Sequence, residues 1–398
     1  TFEHGITPRH MPNVDSASAR SWSIDWTNTL FLAGYHLLLF ALLPVYLVRQ
    51  TPSSELIWWT VGGIAVCLMA ITMGYHRLYA HKTFTTHPVI ESVLVFFGTL
   101  ATEGSVFSWS HDHRLHHRHV DTELDPYSAP DGFWHSHMLW MFKKRPEPNQ
   151  RVIHDLMARP ALRLHHNFYG YWMVLVNLIF FGTVWAFTGD ILGAFVLGTL
   201  LRMFIVHHCT WFINSLAHMW GSQPYSTEHT AVNNFILAFL TFGEGYHNYH
   251  HTFAGDYRNG IRWYQFDPPK YIIWFLSKVG LTKNLKKVNK ITIKRKLVAA
   301  DRFLMVERLR ELSFSFDHEG WISRVEESAA SLTNNLNVLK TASDKYQKMK
   351  HTGNEEVEAL KVRINDVRTS IENEMDEWKA MCHLILESPE SRLAVALA

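Results

Sequence analysis

Residues 56–81 read LIWWTVGGIAVCLMAITMGYHRLYAH, an apolar run of membrane length over about 56–74 followed by two histidines five apart, His76 and His81. A helix of about 20 residues crosses the hydrocarbon of a bilayer. Histidine is unusual at such an edge and common as a metal ligand. The pattern recurs: His113, His116 and His117, then His218, then His247, His250 and His251 each adjoin the end of an apolar segment. Nine imidazoles with almost no competing ligand type predict a polynuclear iron centre in an all-α integral membrane protein.

Three more apolar segments of similar length cover about 27–48, 169–187 and 191–212. Their imperfections, His36, Asn177, Arg202 and His207, are what bundle-facing positions look like. Tight connections at 49–55 and 188–190 make two hairpins, so all nine histidines fall on one side. The stretch 75–168 is rich in Lys and Arg while the hairpins hold one such residue, which predicts that the histidines face the cytoplasm. The apolar stretch 89–101 is short and broken by Glu91, and reads as a helix against the bundle, not a fifth span. The aromatic stretch 133–142 reads as an interfacial helix.

Composition agrees. Charged residues are 19% of the chain and aromatic ones 14%, and the formal charge of +2 implies no nucleic acid partner. Three cysteines, Cys67, Cys209 and Cys382, are too few for a disulfide framework. The first 25 residues are polar and read as an arm, not a cleavable signal.

His113, His116 and His117 sit at offsets of three and four, one helical side, and His247, His250 and His251 repeat the spacing. His76 and His81 are harder: on an ideal helix five residues turn roughly 500°, leaving them splayed by about 140°. They bracket a centre only if the helix ends or bends. A single zinc takes about four ligands, so nine candidates suit two ions. Asn214, one turn before His218, is placed to hold a metal-bound water. Asp112, Asp121, Asp125, Glu103 and Glu244 are available to orient imidazoles by accepting the second ring N–H.

These motifs resemble the integral-membrane stearoyl-CoA-type delta-9 fatty acid desaturases over about 22–281. The matching stretches are HRLYAH (76–81), DHRLHHRHVDTELDPY (112–127), GFWHSHMLW (132–140), TWFINSLAHMWGSQPY (210–225) and GEGYHNYHHTFAGDYRNG (243–260). The resemblance implies four transmembrane helices under a cytosolic helical cap, and two Fe(2+) held by His76, His81, His113, His116, His117, His218, His247, His250 and His251. Asn214 is then the residue that reaches a metal through water. It also implies a bent acyl tunnel near Trp109 and Trp211, with Asp112 toward the coenzyme A end. The expected reaction is O2-dependent formation of a cis-9 double bond in a C16 or C18 acyl-CoA. Cytochrome b5 or ferredoxin, with its reductase, would supply electrons. The membrane would be endoplasmic reticulum in a eukaryote and the inner membrane in a bacterium. The rivals are a di-iron lipid hydroxylase, a desaturase of acyl chains in intact lipids, and a metal transporter; span-end histidines argue against a transport path.

The organisation expected is a polar arm at 1–25, the membrane domain with its cap at 26–281, a basic linker at 282–300 and a helical extension at 301–398. In the extension Ile322, Val325, Ala329, Leu332, Leu336 and Leu339 keep heptad spacing, as do Val357, Leu360, Ile364, Val367 and Ile371. A hairpin turning at 351–354 is the simplest result, and a self-associating coil is the rival.

Overall fold

Asp25 and Ser53 start the first two long helices by accepting the backbone N–H of Asn28 and Leu56. These helices are α1 (Trp26–Arg49) and α2 (Ser54–Ala80). The computed structural model describes residues 23–313, 316–351 and 355–397. The expected arm therefore lies almost entirely outside the described residues, as does most of the expected 351–354 turn.

Among the described residues, four helices are long and apolar enough to cross a membrane. In chain order α3 (Pro88–Leu100) and α4 (Val106–His119) follow α2, then α5 (Phe133–His137), two short helices at His154–Met157 and Pro160–Asn167, and then the other two spans, α6 (Tyr169–Thr188) and α7 (Ile191–His218). The chain is thus a multi-pass membrane protein. Spans α2 and α7 are about half buried, whereas α1 and α6 face outward over most of their length. The inner pair carries histidines at its ends.

The polar residues within the spans answer one another. Arg202 donates to Asn177 Oδ1 at 2.5 Å and to the Leu100 carbonyl at 2.8 Å, joining α7 to α6 and α3. Tyr35 and His207 meet at 2.9 Å, and His36 and His208 at 3.2 Å. Asp190 accepts from Gly193 N–H at 2.8 Å and from Tyr46 O–H at 2.7 Å, so one carboxylate caps α7 and locks the two hairpins together.

The stretch 89–101 is a helix packed on α2 and α6, as its length and Glu91 suggest. The stretch 133–142 is not one interfacial helix. It breaks after α5 into a 3-10 turn, and His137 and Trp140 turn inward, His137 reaching Ser215 Oγ at 3.0 Å. Ser215 and His208 near the end of span α7 hold His137, while Trp134 and Leu139 of the same stretch stay exposed.

Beyond the spans lie α8 (Phe235–Leu240), α9 (His247–Thr252) and α10 (Pro268–Lys278). A two-residue strand β1 (Thr85–Thr86) pairs antiparallel with β2 (Thr282–Lys283), in register Thr85 with Lys283. The stretch 282–300 is structured: β2 opens it, and α11 (Lys290–Glu311) begins inside it. α11 packs on α12 (His318–Met349), which packs on α13 (Glu355–Cys382). The heptad seam is buried within this one chain, with Leu332 and Trp378 in one core cluster and Leu336 and Ile364 in another. The heptad residues of α12 and α13 are buried against one another, the hairpin arrangement.

Candidate metal centre

The splay expected for His76 and His81 disappears because α2 changes its winding. From Ile71 to Ala80 it is a π-helix, and His81 N–H donates to the His76 carbonyl at 3.0 Å, an i to i+5 bond. Residues five apart then stack, and the two rings lie 4.7 Å apart between centroids. The helix widens and then ends at Ala80, with His81 at its C-cap, so the end that the spacing calls for lies between the two histidines.

Ser105 caps α4 by accepting Ser108 N–H, and α4 presents His113, His116 and His117. α9 presents His247, His250 and His251 and needs two glycines before it. Gly243 has φ +102°, and a Cβ on Gly245 would sit 2.1 Å from the Ala238 backbone nitrogen. His218 comes from the end of α7.

The nine imidazoles form two groups. His76, His81, His113, His117 and His250 make one; His116, His218, His247 and His251 make the other; in each, one ligand atom per residue lies within 4.8 Å of the rest. Each HxxHH stretch feeds both groups. The residues four apart, His113 with His117 and His247 with His251, stay together, and the remaining member crosses over. The Nε2 atoms approach closely: His81 to His113 at 2.8 Å, His250 to His76 and His117 at 2.9 Å, His247 to His218 at 3.1 Å and His116 to His251 at 3.2 Å. Adjacent ligands about 2.1 Å from a shared ion stand roughly 3 Å apart, so the spacing fits two metal ions. Burial first, then the neighbouring imidazoles, hold His81, His113, His117, His250 and His251 well below the ordinary histidine pKa. They stay neutral, the form that binds metal. An imidazole-only donor set suits iron, and the two groups make a plausible di-iron site.

Carboxylates orient several rings. Asp125 lies 2.9 Å from His116 Nδ1, and Glu244 Oε2 lies 3.0 Å from His76 Nδ1. His218 Nδ1 meets Thr230 Oγ1 at 2.8 Å, which in turn donates to Asp121 at 2.6 Å. Burial alone would raise the Glu244 carboxyl; His76 and Arg77 reverse this and hold it below its usual range. Asp112 and Glu103 serve elsewhere. Asp112 pairs with His111 and Arg145. Glu103, pushed up to about 7 by burial, accepts from Thr210 and Trp109.

Asp125→Asn weakens the hold on the His116 ring. The expected loss in metal affinity is about 10- to 100-fold, as for outer partners of ligating histidines. Iron bound per chain at limiting iron measures it, and an unchanged affinity would remove Asp125 from this role.

One cavity touches both groups. Its wall includes His76, His113 and His247, with Asn214, Trp109, Asp112 and Trp211. Phe31, Leu32, Leu68 and Ile71 supply an apolar part from α1 and α2, and Asp112 and Arg145 a charged part. Asn214 thus shares a wall with His247. Sequence reasoning missed Arg77, Asp267, Asn259 and Thr230. Arg77 binds Glu244 at 3.1 Å and Asp267 at 2.9 Å, and Asn259 donates to Glu244 at 2.7 Å. A charge at the end of an apolar segment was the available signal for Arg77; Thr230 offered none.

A family profile described as "Fatty acid desaturase" matches residues 56–274. The chain is 37% identical over 288 residues to "Acyl-CoA desaturase 1" of Saccharomyces cerevisiae, covering 70% of this chain and 55% of that protein. It is 34% identical to the "Probable acyl-CoA desaturase" of Schizosaccharomyces pombe, covering 74% of this chain and 63% of that protein. It is 33% identical to the "sn-1 stearoyl-lipid 9-desaturase" of Anabaena variabilis, covering 69% of this chain and 98% of that protein. The chain therefore spans between about half and two thirds of the two yeast relatives.

Proposed function

This chain belongs to the fatty acid desaturase family, and on that premise we propose that it introduces a double bond into a saturated fatty acyl chain. The observation that carries the reading is the pair of imidazole groups facing a cavity with an apolar wall. The nine histidines would hold two irons, with Asn214 beside the second group. When bound and reduced from outside, they supply the O2-dependent oxidising power needed to remove two hydrogens from adjacent methylenes, chemistry that side chains alone do not perform. The protein supplies position. Trp109 is fixed by Glu103 at 3.3 Å, and Thr210 is fixed by the same carboxylate at 2.7 Å, so that wall of the cavity is rigid. A rigid wall presents one pair of methylenes and excludes others.

The finer reading is a C16 or C18 acyl-CoA substrate, a cis-9 product, a cytoplasmic catalytic face and cytochrome b5 or ferredoxin as donor. The names of the yeast relatives support the coenzyme A thioester. The name of the Anabaena relative supports the second reading, acyl chains of intact lipids. Expression in a host without its own desaturase, with fatty acids resolved by gas chromatography–mass spectrometry, tests the reaction. New cis-9 monoenes support it, hydroxy acids turn the assignment to a hydroxylase, and feeding labelled acyl-CoA or labelled phospholipid separates the two head groups.

Leu68 lies two turns into the membrane from His76 on α2 and lines the apolar part of the cavity. Leu68→Trp is expected to shift product from C18 toward C16, each excluded methylene costing about 0.8 kcal/mol of binding. An unchanged C16:1 to C18:1 ratio would place the chain terminus elsewhere.

A further inference from the structure

Outside the four spans, two helices carry apolar faces with no covering partner among the described residues. α8 buries Leu237 and Ala238 but exposes Phe235, Ile236, Phe239 and Leu240. α10 buries Ile273 but exposes Tyr271, Ile272, Trp274 and Phe275. Phe266, just before α10, joins the two: its ring lies 5.0 Å from Phe239. The faces form one apolar ledge, of a kind that marks an interaction site on a protein surface.

Its surroundings say what covers it. Ile273 shares a core cluster with Ala70 and Met73 of α2, so α10 packs at the end of a membrane-spanning helix, where the bilayer surface lies. Its edge is basic. Lys278 Nζ stands over the Trp274 ring at 5.3 Å, and Lys283, Lys286 and Lys287 follow, all exposed. The pairing of β2 with β1 fixes Lys283 there. An exposed apolar face bordered by a tryptophan under a lysine head, with further exposed lysines after it in the chain, is what an anionic membrane surface takes up.

We propose that α8 and α10 lie in the headgroup–acyl boundary of the leaflet on the histidine side, with the lysine edge on anionic lipid. Interfacial helices of this kind bury an apolar face by roughly 5–10 Å. The ledge meets α9 through Gly245, whose backbone touches α8, so the lipid surface sets the depth of the histidines of α9. The proposal rests on the four-span reading.

The test is a nitroxide placed at Phe239→Cys or Phe275→Cys in the full chain carrying Cys382→Ser, since Cys67 and Cys209 are buried. The protein is held in bilayer discs containing phosphatidylserine. Collision rates with oxygen, which partitions into lipid, and with a nickel chelate, which stays in water, are read by electron paramagnetic resonance. Leu37→Cys on α1 reports lipid and Glu358→Cys on α13 reports water. The expected result is oxygen contact near that of Leu37 and nickel contact severalfold below that of Glu358. High nickel contact at both ledge sites overturns the proposal, because the face is then in water. Low contact with both reagents also overturns it, because protein then covers the face. A watery reading at Leu37 would instead sink the four-span premise. Phe235→Cys and Ile272→Cys read the same two faces if a first variant does not fold.

Discussion

Replacing His250 by alanine is expected to abolish alkene formation and to strip iron from the centre. His250 Nε2 stands 2.9 Å from the Nε2 atoms of both His76 and His117, so it joins the ligand from α2 to the ligand from α4. Without it the five-membered group loses its only contribution from α9. The loss should exceed the 10- to 100-fold that an outer partner costs, taking activity down by at least about two orders of magnitude. Iron per chain should fall from two toward one, since His116, His218, His247 and His251 keep their own geometry. Product by gas chromatography–mass spectrometry and iron by mass spectrometry check both. His383→Ala, at an exposed site in the C-terminal unit, should change neither. Full iron with full activity in the His250 variant would falsify the assignment of the first group.

The second large effect is on stability. Arg77 is buried and ties four polar groups together: Glu244, Asp267, the Tyr257 carbonyl and, through Glu244, Asn259. Arg77→Met removes the charge and strands two buried carboxylates. Breaking a buried pair in this way costs about 3–5 kcal/mol. The variant should melt well below the parent in detergent, and the loop before α9 should become cleavable by protease. Arg77→Lys, which keeps the charge but not the planar fork, should fall between them. A Met variant that melts with the parent would mean that Glu244 and Asp267 take protons or water at little cost.

Much of this architecture was legible before the fold. The number and starts of the spans follow from hydropathy, because a bilayer sets a minimum length for every crossing, but α2 and α7 run on to Ala80 and His218, past the expected ends near 74 and 212. The histidines were legible as a set because imidazole is costly at such places unless it binds something. What was hidden depends on long-range closure. Thr230 reaches Asp121 across 109 residues, and no local spacing announces it. The crossing of His116 and His250 into opposite groups is equally invisible, because helical offsets say which residues share a side but not which ion each ring faces. In the stretch 133–142 the composition does not announce the break after His137, nor the reach of that ring to Ser215 on α7.

The π-wound end of α2 has a consequence for phase. A π segment is an α-helix carrying one residue more than its turns can hold. Its effect is that of a shim beneath a screw thread: everything after it is rotated by about the 100° that one residue subtends. Shortening 71–75 by a single residue should let the helix relax to ordinary winding. No side chain of the centre would be altered, yet His81 would swing away from His113, now 2.8 Å distant. The timing of two helical repeats, and not the chemistry of any one residue, closes the ring of nitrogens at that corner.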